Sequence, residues 1–296
     1  MRRPLGAENR APDRRAVPQR RRHPVDFLPP PPYADSPDTH PRTSALSAYD
    51  FAAQRLFVED ALAEGARVTP TAAAQNYLLN VLRLRQDEAI LLFNGRDGEW
   101  RATVDIVSKR AAALCVEHRL REQTAPGHVH YAFAPLKQAR LDYMVQKATE
   151  MGASRLTPVL TRRAQLRRVS AHRLRANAIE AAEQCGLLTI PESVEPVDLE
   201  RYLAELDPER LLVFCDEDAP ITDALAPLRC KSAELGARPA LAVLIGPEGG
   251  FDETERSSIL RRNNVLQISL GPRILRADTA AVAALALVQA TLGDWR

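Results

Sequence analysis

The chain has 296 residues, of which 45% are hydrophobic, and a formal net charge of +2. This length allows about two domains with substantial cores, and the sequence has no apolar run long enough to predict a membrane span. Residues 1–47 hold nine arginines against five acidic residues, which leaves 31 basic and 33 acidic residues elsewhere. That balance excludes a globally basic nucleic-acid binder, so any contact with nucleic acid must use local patches.

The cysteines and histidines exclude two further classes of protein. Cys115, Cys185, Cys215 and Cys230 form no C-x-x-C pair, and the six histidines are scattered along the chain. The pattern therefore predicts no metal site and no disulfide framework, and it favours a reducing, cytoplasmic setting.

Residues 1–47 combine arginine clusters with the run Pro29-Pro30-Pro31-Pro32 and contain few apolar residues. Such a segment cannot bury enough surface to offset the entropy lost on ordering, so we predict a disordered extension. It lacks the apolar stretch of a signal peptide. Two interpretations are open: a basic arm that attracts RNA, and an extension without a function.

Residues 48–122 are predicted to form a small β-barrel domain. Asn94-Gly95 and Asp97-Gly98 punctuate the apolar runs there, and these dipeptides supply the positive φ that tight hairpins need. A short helix is expected from Thr71 to Leu84. The strands are expected at 55–58, 89–93 and 100–104.

Residues 126–296 are predicted to form a second domain, after a linker at 123–127. Strands alternate there with longer helices, as in a mainly parallel sheet. The strands are expected at 129–134, 156–160, 211–215, 241–245 and 265–270. The helices are expected at 141–151, 170–186 and 279–292, with a fourth beginning at Asp252, whose capping partner is Glu255. The alanine-rich last helix suits close packing, within the domain or between two subunits.

Two strands of this domain run into similar glycine-proline loops. The run Leu241-Ala242-Val243-Leu244-Ile245 meets Gly246-Pro247-Glu248-Gly249-Gly250, and the strand at 265–270 meets Gly271-Pro272-Arg273. Ligands in open α/β sheets sit beyond the carboxyl ends of the strands. The two loops therefore predict a ligand cleft.

The residues of these loops limit the classes of ligand that the cleft could bind. The sequence contains no P-loop and no G-x-G-x-x-G dinucleotide motif, and the first loop has no lysine. Glycines beside aliphatic side chains suit a flat, uncharged ring such as adenine, while Glu248 and Asp216 could hold ribose hydroxyls. The residues thus predict an adenosine-like pocket without naming the cofactor.

Five blocks of the chain, spread over roughly 50–296, resemble the bacterial 16S ribosomal RNA (uracil(1498)-N3)-methyltransferases. The blocks are Arg55–Val58, Gln146–Gly152, Ala181–Gly186, Leu244–Gly250 and Leu270–Ala280. Ala277-Asp278 stands where many members have Thr-Glu, and Gln75-Asn76-Tyr77 stands where many carry a histidine. Neither departure touches the glycine loops.

The resemblance implies a SPOUT-type, trefoil-knotted, mainly parallel α/β domain preceded by a PUA-like RNA-binding β-barrel domain. It implies methyl transfer from S-adenosyl-L-methionine to N3 of one uridine in the 16S rRNA of the small ribosomal subunit, by a homodimer joined through the knotted domain. Two alternatives are open. One is another SPOUT enzyme, acting on transfer RNA or on a ribose 2′-hydroxyl, and the other is a non-catalytic RNA-binding ribosome-assembly factor.

The resemblance also implies a set of site residues. Those expected to bind the cofactor are Cys215, Asp216, Leu244, Ile245, Gly246, Pro247, Glu248, Gly249, Gly250, Leu270, Gly271, Leu275 and Thr279. Arg273 and Arg276 are the catalytic candidates, because a guanidinium opposes the charge that develops on uracil when N3 loses its proton. The alternative is that one of them pairs with Asp278 or Glu248 to shape the loop.

The candidates for RNA contact are all arginines. Three match positions where the family is basic, and for them scattered surface arginine is the alternative. Two belong to a dense basic run that follows the strand at 156–160, for which a solvated face is the alternative. The candidates are Arg55, Arg83, Arg85, Arg162 and Arg163.

Overall fold

The computed structural model describes residues 53–108, 110–220 and 223–295, which contain two β-sheets with separate hydrophobic cores. The extension predicted at residues 1–47 lies outside the described residues. Within the described residues, no helix is long and apolar enough to cross a membrane.

The first sheet has five strands in the spatial order β1-β3-β4-β5-β2. They are β1 (Arg55–Phe57), β2 (Arg67–Val68), β3 (Ala89–Phe93), β4 (Glu99–Ser108) and β5 (Ala111–Arg121). All its pairings are antiparallel except β1 with β3. The three strands predicted in this region are confirmed, while β2 and β5 were not predicted.

The helix predicted from Thr71 to Leu84 is wrong in its second half. Thr71 caps a short α-helix, α1 (Ala72–Asn76), which continues as a π-helical turn over Tyr77–Val81. The wider turn is closed by the Leu82 N–H, which donates to the Tyr77 carbonyl at 2.9 Å. Arg83 then adopts a positive φ of 58° and stops the helix, because this conformation cannot continue a right-handed helix.

The second sheet is parallel throughout, with its main strands in the order β12-β10-β11-β6-β7-β8 and β9 paired to β7. Its strands are β6 (Val129–Phe133), β7 (Ala153–Leu160), β8 (Glu192–Ser193), β9 (Val197–Asp198), β10 (Leu211–Cys215), β11 (Leu241–Ile245) and β12 (Val265–Ile268). The predicted mainly parallel sheet is confirmed. The five predicted strands are all present, and β10 and β11 have the predicted bounds.

Helices cover both faces of this sheet, which explains its continuous apolar runs. Along the fully buried strand β11, Val243 packs toward one core and Leu244 toward the other. The helices are α2 (Gln138–Glu150), α3 (Ala171–Cys185), α4 (Leu199–Glu205), α5 (Leu225–Glu234), α6 (Glu253–Leu260) and α7 (Ala277–Thr291). The side chains of α4 and α6 join the Leu244 core, while those of α2, α3, α5 and α7 join the other.

Capping residues and a terminal glycine set the boundaries of several helices. Asp252 and Glu255 form the predicted capping box at the start of α6, and Gly186 ends α3 with a φ of 75°, as glycine at this position commonly does. The sequence did not predict α4 or α5. The first has only seven residues, and the second begins without a side-chain cap.

The strand order brings three carboxyl ends together. Strand β10 lies between β11 and β12, and Cys215 is in register with Ile245 on one side and Ile268 on the other. All three strands run in the same direction, so the loops that follow them leave from one edge of the sheet.

A buried ion network ties the first sheet to helix α3. The Glu99 side chain is fully buried; it accepts hydrogen bonds from Arg55 Nε at 3.0 Å and from Arg121 Nε at 2.7 Å. Arg121 also donates to the Gly186 carbonyl at 2.8 Å. The Arg55 side chain is only 2% exposed and is paired with Glu99. This burial supports a structural role, and contact of Arg55 with RNA stays a prediction that the burial does not favour.

We predict that Glu99→Gln destabilises the protein by about 3–5 kcal/mol, because it removes the charge that compensates a buried arginine. Urea unfolding measures the change. The control is Glu117→Gln, which breaks a partly exposed pair with Arg101 on the same sheet and should cost about 1 kcal/mol or less. Equal effects of the two variants would contradict the prediction.

His130 in β6 is held in its neutral form. Burial lowers its pKa to about 4, with added repulsion from Arg210 and Arg155. An unfolded histidine titrates near pH 6.5, so the unfolded chain binds more protons than the folded protein between about pH 4 and 6.5. Stability therefore rises with pH across this window, and the contribution of His130 is fully present above it.

We predict that His130→Gln makes the free energy of unfolding less dependent on pH between 4.5 and 7, roughly the window set by the two titrations. Urea unfolding at several pH values measures the slope. His172→Gln, at an exposed position on α3, should leave the slope unchanged. A variant at position 130 with the wild-type slope would refute the assignment.

Candidate active site

A cavity of about 340 Å³ opens where the loops after β10, β11 and β12 meet. Its position is the one predicted from the two glycine-proline loops. The predicted site residues that line it are Cys215, Asp216, Ile245, Gly246, Pro247, Glu248, Gly250, Leu270, Gly271, Arg273 and Leu275. The sequence therefore located the cleft and most of its lining.

Four of the predicted cofactor-binding and catalytic residues do not line the cavity. Leu244 is fully buried in the core beneath it, and the Gly249 carbonyl instead accepts a hydrogen bond from Arg163. Arg276 and Thr279 are exposed at the start of α7. The lining residues that sequence reasoning missed lie in the same loops or in neighbouring helices: Glu217, Asp218, Ala219, Phe251, Arg256, Ser269, Pro272, Ile274, Ala277 and Ala280.

Two glycines of the first loop are required by its geometry. A Cβ on Gly246 would lie 2.5 Å from the Phe251 ring, which packs edge-on against Phe214. Gly250 has a φ of 69°, and a Cβ there would lie 2.3 Å from the Glu217 carboxylate. A side chain at either position would force its neighbour to move, because these contacts are shorter than van der Waals distance, and at Gly250 it would also strain the left-handed backbone.

The carboxylate of Asp216 accepts hydrogen bonds from other residues of the protein. Its Oδ2 accepts from Arg256 Nε at 2.8 Å and from Gln267 Nε2 at 2.6 Å, and its Oδ1 accepts from the Asp218 N–H at 3.1 Å. The hydrogen bond to Asp216 raises the pKa of Arg256. Asp216 therefore holds the loop after β10 in shape beside the cavity.

Cys215 lies next to Asp216 in the cavity lining. Burial raises the pKa of its thiol, and the charge of Asp216 raises it further. The thiol therefore stays protonated at neutral pH and contributes a small, neutral surface, without the thiolate that a cysteine nucleophile needs.

Arg140, in the first turn of α2, is a residue of this site that the sequence reasoning missed. Its Nε and Nη2 donate to the two carboxylate oxygens of Asp278, each at 2.9 Å, and its Nη1 donates to Glu248. These hydrogen bonds lower the pKa of both acids. The position of Arg140 in the sequence could have indicated its place in the site. Arg140 follows β6, whose carboxyl end lies at the same edge of the sheet as those of β10, β11 and β12.

The predicted RNA contacts Arg162 and Arg163 lie against the outside of the first loop. Arg163 Nη1 donates to the Gly249 carbonyl at 2.6 Å, and Arg162 Nη1 pairs with Asp252 at 2.7 Å. The Arg162 side chain is still 60% exposed. Contact with RNA stays a prediction for both, alongside their role in supporting the loop.

Arg273 and Arg276 lie on an exposed segment at the cavity rim, on either side of Ile274, which is 90% exposed. Within the described ranges neither arginine is part of an ion pair, since the acids Glu248 and Asp278 are held by Arg140. The two guanidinium groups are thus available to an incoming anion or developing negative charge. Arg83 and Arg85 follow the π-helical turn, in the part of the chain that forms the first sheet. Both are exposed, and neither lines this cavity.

Comparison with known proteins identifies the family. An RNA methyltransferase domain family matches residues 123–289, more than half of the chain, and an RNA methyltransferase PUA domain family matches residues 70–114. The chain is 30% identical over 236 residues to ribosomal RNA small subunit methyltransferase E of Rickettsia conorii, covering 79% of this chain and 94% of the relative. It is 32% identical over 244 residues to the protein of that name from Synechocystis, covering 81% and 78%.

Two solved structures share the fold. A methyltransferase of Legionella pneumophila in complex with S-adenosylmethionine superposes with a TM-score of 0.70 at 29% identity, covering 80% of this chain and 97% of that one. Ribosomal RNA small subunit methyltransferase E of Neisseria gonorrhoeae, bound to S-adenosylmethionine, gives a TM-score of 0.70 at 26% identity, covering 82% and 100%. The chain belongs to the ribosomal RNA small subunit methyltransferase E family of RNA methyltransferases.

Proposed function

We propose that this chain methylates N3 of one uridine in the 16S rRNA of the small ribosomal subunit, at the position equivalent to 1498, with S-adenosyl-L-methionine as the methyl donor. The observation that carries the proposal is the cavity at the carboxyl ends of β10, β11 and β12, built from both glycine-proline loops. Membership of the family and the two related structures that hold S-adenosylmethionine support it.

The cavity fits this cofactor in size and in chemistry. Its volume of about 340 Å³ lies within the range of small-molecule sites. Ile245, Leu270 and Leu275 offer apolar surface for a flat ring, and Gly246 and Gly250 keep the backbone free of side chains on that wall. When bound, the cofactor supplies an activated methyl group on a positively charged sulfur.

The acidic residues of the cavity match that positive charge. Glu217, Asp218 and Glu248 all line it, and an acid near a sulfonium group is favourable because opposite charges attract. Glu248 is poorly suited to remove the proton from uracil N3, because the Arg140 guanidinium holds its pKa below the ordinary value and so makes it a weak base. We assign it to charge and loop shape.

The demanding part of the reaction is the uracil itself. N3 carries a proton at neutral pH, and the ring becomes a good nucleophile only as an anion. Arg273 and Arg276 are placed at the rim without a carboxylate partner, so their guanidinium groups would donate to uracil oxygens and stabilise that anion. Holding the ring in line with the methyl group is the second requirement.

The remaining parts of the proposal concern assembly and recognition. Exposed Arg83 and Arg85 would contact RNA phosphates, with Arg162 and Arg163 as further candidates near the cofactor loop. A trefoil knot in the second domain, a homodimer through that domain and a cytoplasmic location stay predictions. The division into domains at 48–122 and 126–296 stays one as well.

The test is methyl transfer from labelled S-adenosylmethionine to unmodified small ribosomal subunits, with naked 16S RNA and bulk transfer RNA in parallel and mass spectrometry of the labelled nucleoside. We expect 3-methyluridine with subunits only. Label in transfer RNA or in a 2′-O-methyl nucleoside would assign the chain to another SPOUT activity. Cofactor binding without label anywhere would favour a non-catalytic assembly factor.

We predict that Arg276→Ala lowers kcat for subunit methylation by about 10²–10³-fold, as for the loss of one donor that stabilises a developing anion, with cofactor affinity within about twofold of wild type. Single-turnover kinetics and calorimetry measure the two quantities. The matched control is Arg261→Ala, an exposed arginine at the end of α6, which should leave both unchanged. Wild-type kcat in the Arg276 variant would refute the role.

A further inference from the structure

We propose that Arg140 is a positioning residue that joins the two walls of the cavity, and that this junction sets the affinity for the methyl donor. The proposal rests on the proposed function for the identity of that donor. Glu248 lines the cavity in the loop after β11, and Asp278 lies in the segment after β12, next to the lining residue Ala277. Arg140 comes from a third element, α2, and contacts both.

The two walls have little else to hold them together. Strand β10 separates β11 from β12 in the sheet, so no backbone ladder joins the two strands. In the described part of the chain, no other hydrogen bond or ion pair links the segment 246–252 to the segment 271–278. Asp216 provides an indirect link, because it accepts from Arg256 in α6 and from Gln267 in β12. Arg140 is the residue that contacts both segments directly.

The geometry uses the full shape of a guanidinium group. Nε and Nη2 meet the two oxygens of Asp278 side by side at 2.9 Å, which leaves Nη1 for Glu248. A lysine ammonium carries the same charge, but it cannot reproduce this planar, two-sided arrangement. The second Glu248 oxygen accepts from Gln165 Nε2 at 2.6 Å, so this carboxylate is oriented from both sides.

The same contacts keep the rim arginines available. Arg140 satisfies both acids near the rim, and Arg276 contributes only a weaker electrostatic effect on Glu248. Without Arg140, Glu248 would be left as an acid that already interacts electrostatically with Arg276. Loss of Arg140 is therefore expected to weaken the cofactor site and also to draw Arg276 away from substrate.

The first experiment measures S-adenosylmethionine affinity by calorimetry, without RNA, for Arg140→Gln and Arg140→Lys. We expect Arg140→Gln to weaken binding by about 10- to 100-fold, the fold-change that corresponds to losing a hydrogen bond between charged groups. Arg140→Lys should recover only part of this loss. The matched control is Arg173→Gln, which breaks the two-pronged pair between Arg173 of α3 and Asp142 of α2, the helix that carries Arg140. Neither residue of this pair lines the cavity, so the control should bind as wild type.

The second experiment measures amide hydrogen exchange in the absence of ligand. Arg140→Gln should speed exchange in 246–252 and 271–279, and Arg173→Gln should not. This readout does not depend on the identity of the donor, so it tests the junction even if subunit methylation fails. Conversely, if the wild-type enzyme methylates a different RNA, the proposed function is wrong but the proposed junction is unaffected.

A double-mutant cycle separates a junction from an independent binding contact. If Arg140 acts through Asp278, then Asp278→Asn should cost much less affinity in the Arg140→Gln background than in wild type. Additive losses would overturn the proposal, because they would mean that the two residues act separately. Affinity within about twofold of wild type in Arg140→Gln, with unchanged exchange in both segments, would also overturn it.

Discussion

The parallel placement of β10 between β11 and β12 is the constraint on which the rest of the site depends. All three strands run the same way through a sheet covered on both faces, so each has to be apolar along its length and each has to release its loop at the same edge. The ligand cavity is a consequence of that arrangement. The loop after β11 needs glycine at two positions of the cavity wall, because side chains at Gly246 or Gly250 would collide with Phe251 or Glu217.

This chain uses arginine in two physically distinct ways. Arg55 and Arg140 are held by carboxylates from distant segments and serve to fix elements relative to one another. Arg273 and Arg276 stay at the rim, where no acid of the described part of the chain forms an ion pair with them. The division matters for the proposed methyl transfer to uracil, because stabilising an anion requires a cation that is not already engaged with a protein carboxylate.

The electrostatics of the cavity follow from the same division. Acids on the cavity side favour a positively charged methyl donor, and arginines at the rim favour a negatively charged acceptor. Since Arg140 lowers the pKa of Glu248 and Asp278, both acids stay ionised at neutral pH. A site ordered in this way would bind the methyl donor and the acceptor through complementary charges. The rate of the reaction would then depend on how well the two are aligned.

The sequence by itself determined the parts of this protein that depend on neighbours in the chain: the buried strands β10 and β11, the capping box of α6, the glycine end of α3 and the two glycine-proline loops. These are local signals, since strand periodicity, caps and positive φ involve only a few consecutive residues. The tertiary structure alone decided which arginines are structural. Arg140 and Asp278 are 138 positions apart, and the buried Arg55 is paired with Glu99, 44 positions away. Composition showed a chain rich in arginine, but the partner of a charged side chain is set by which distant elements pack together, and no local pattern records that.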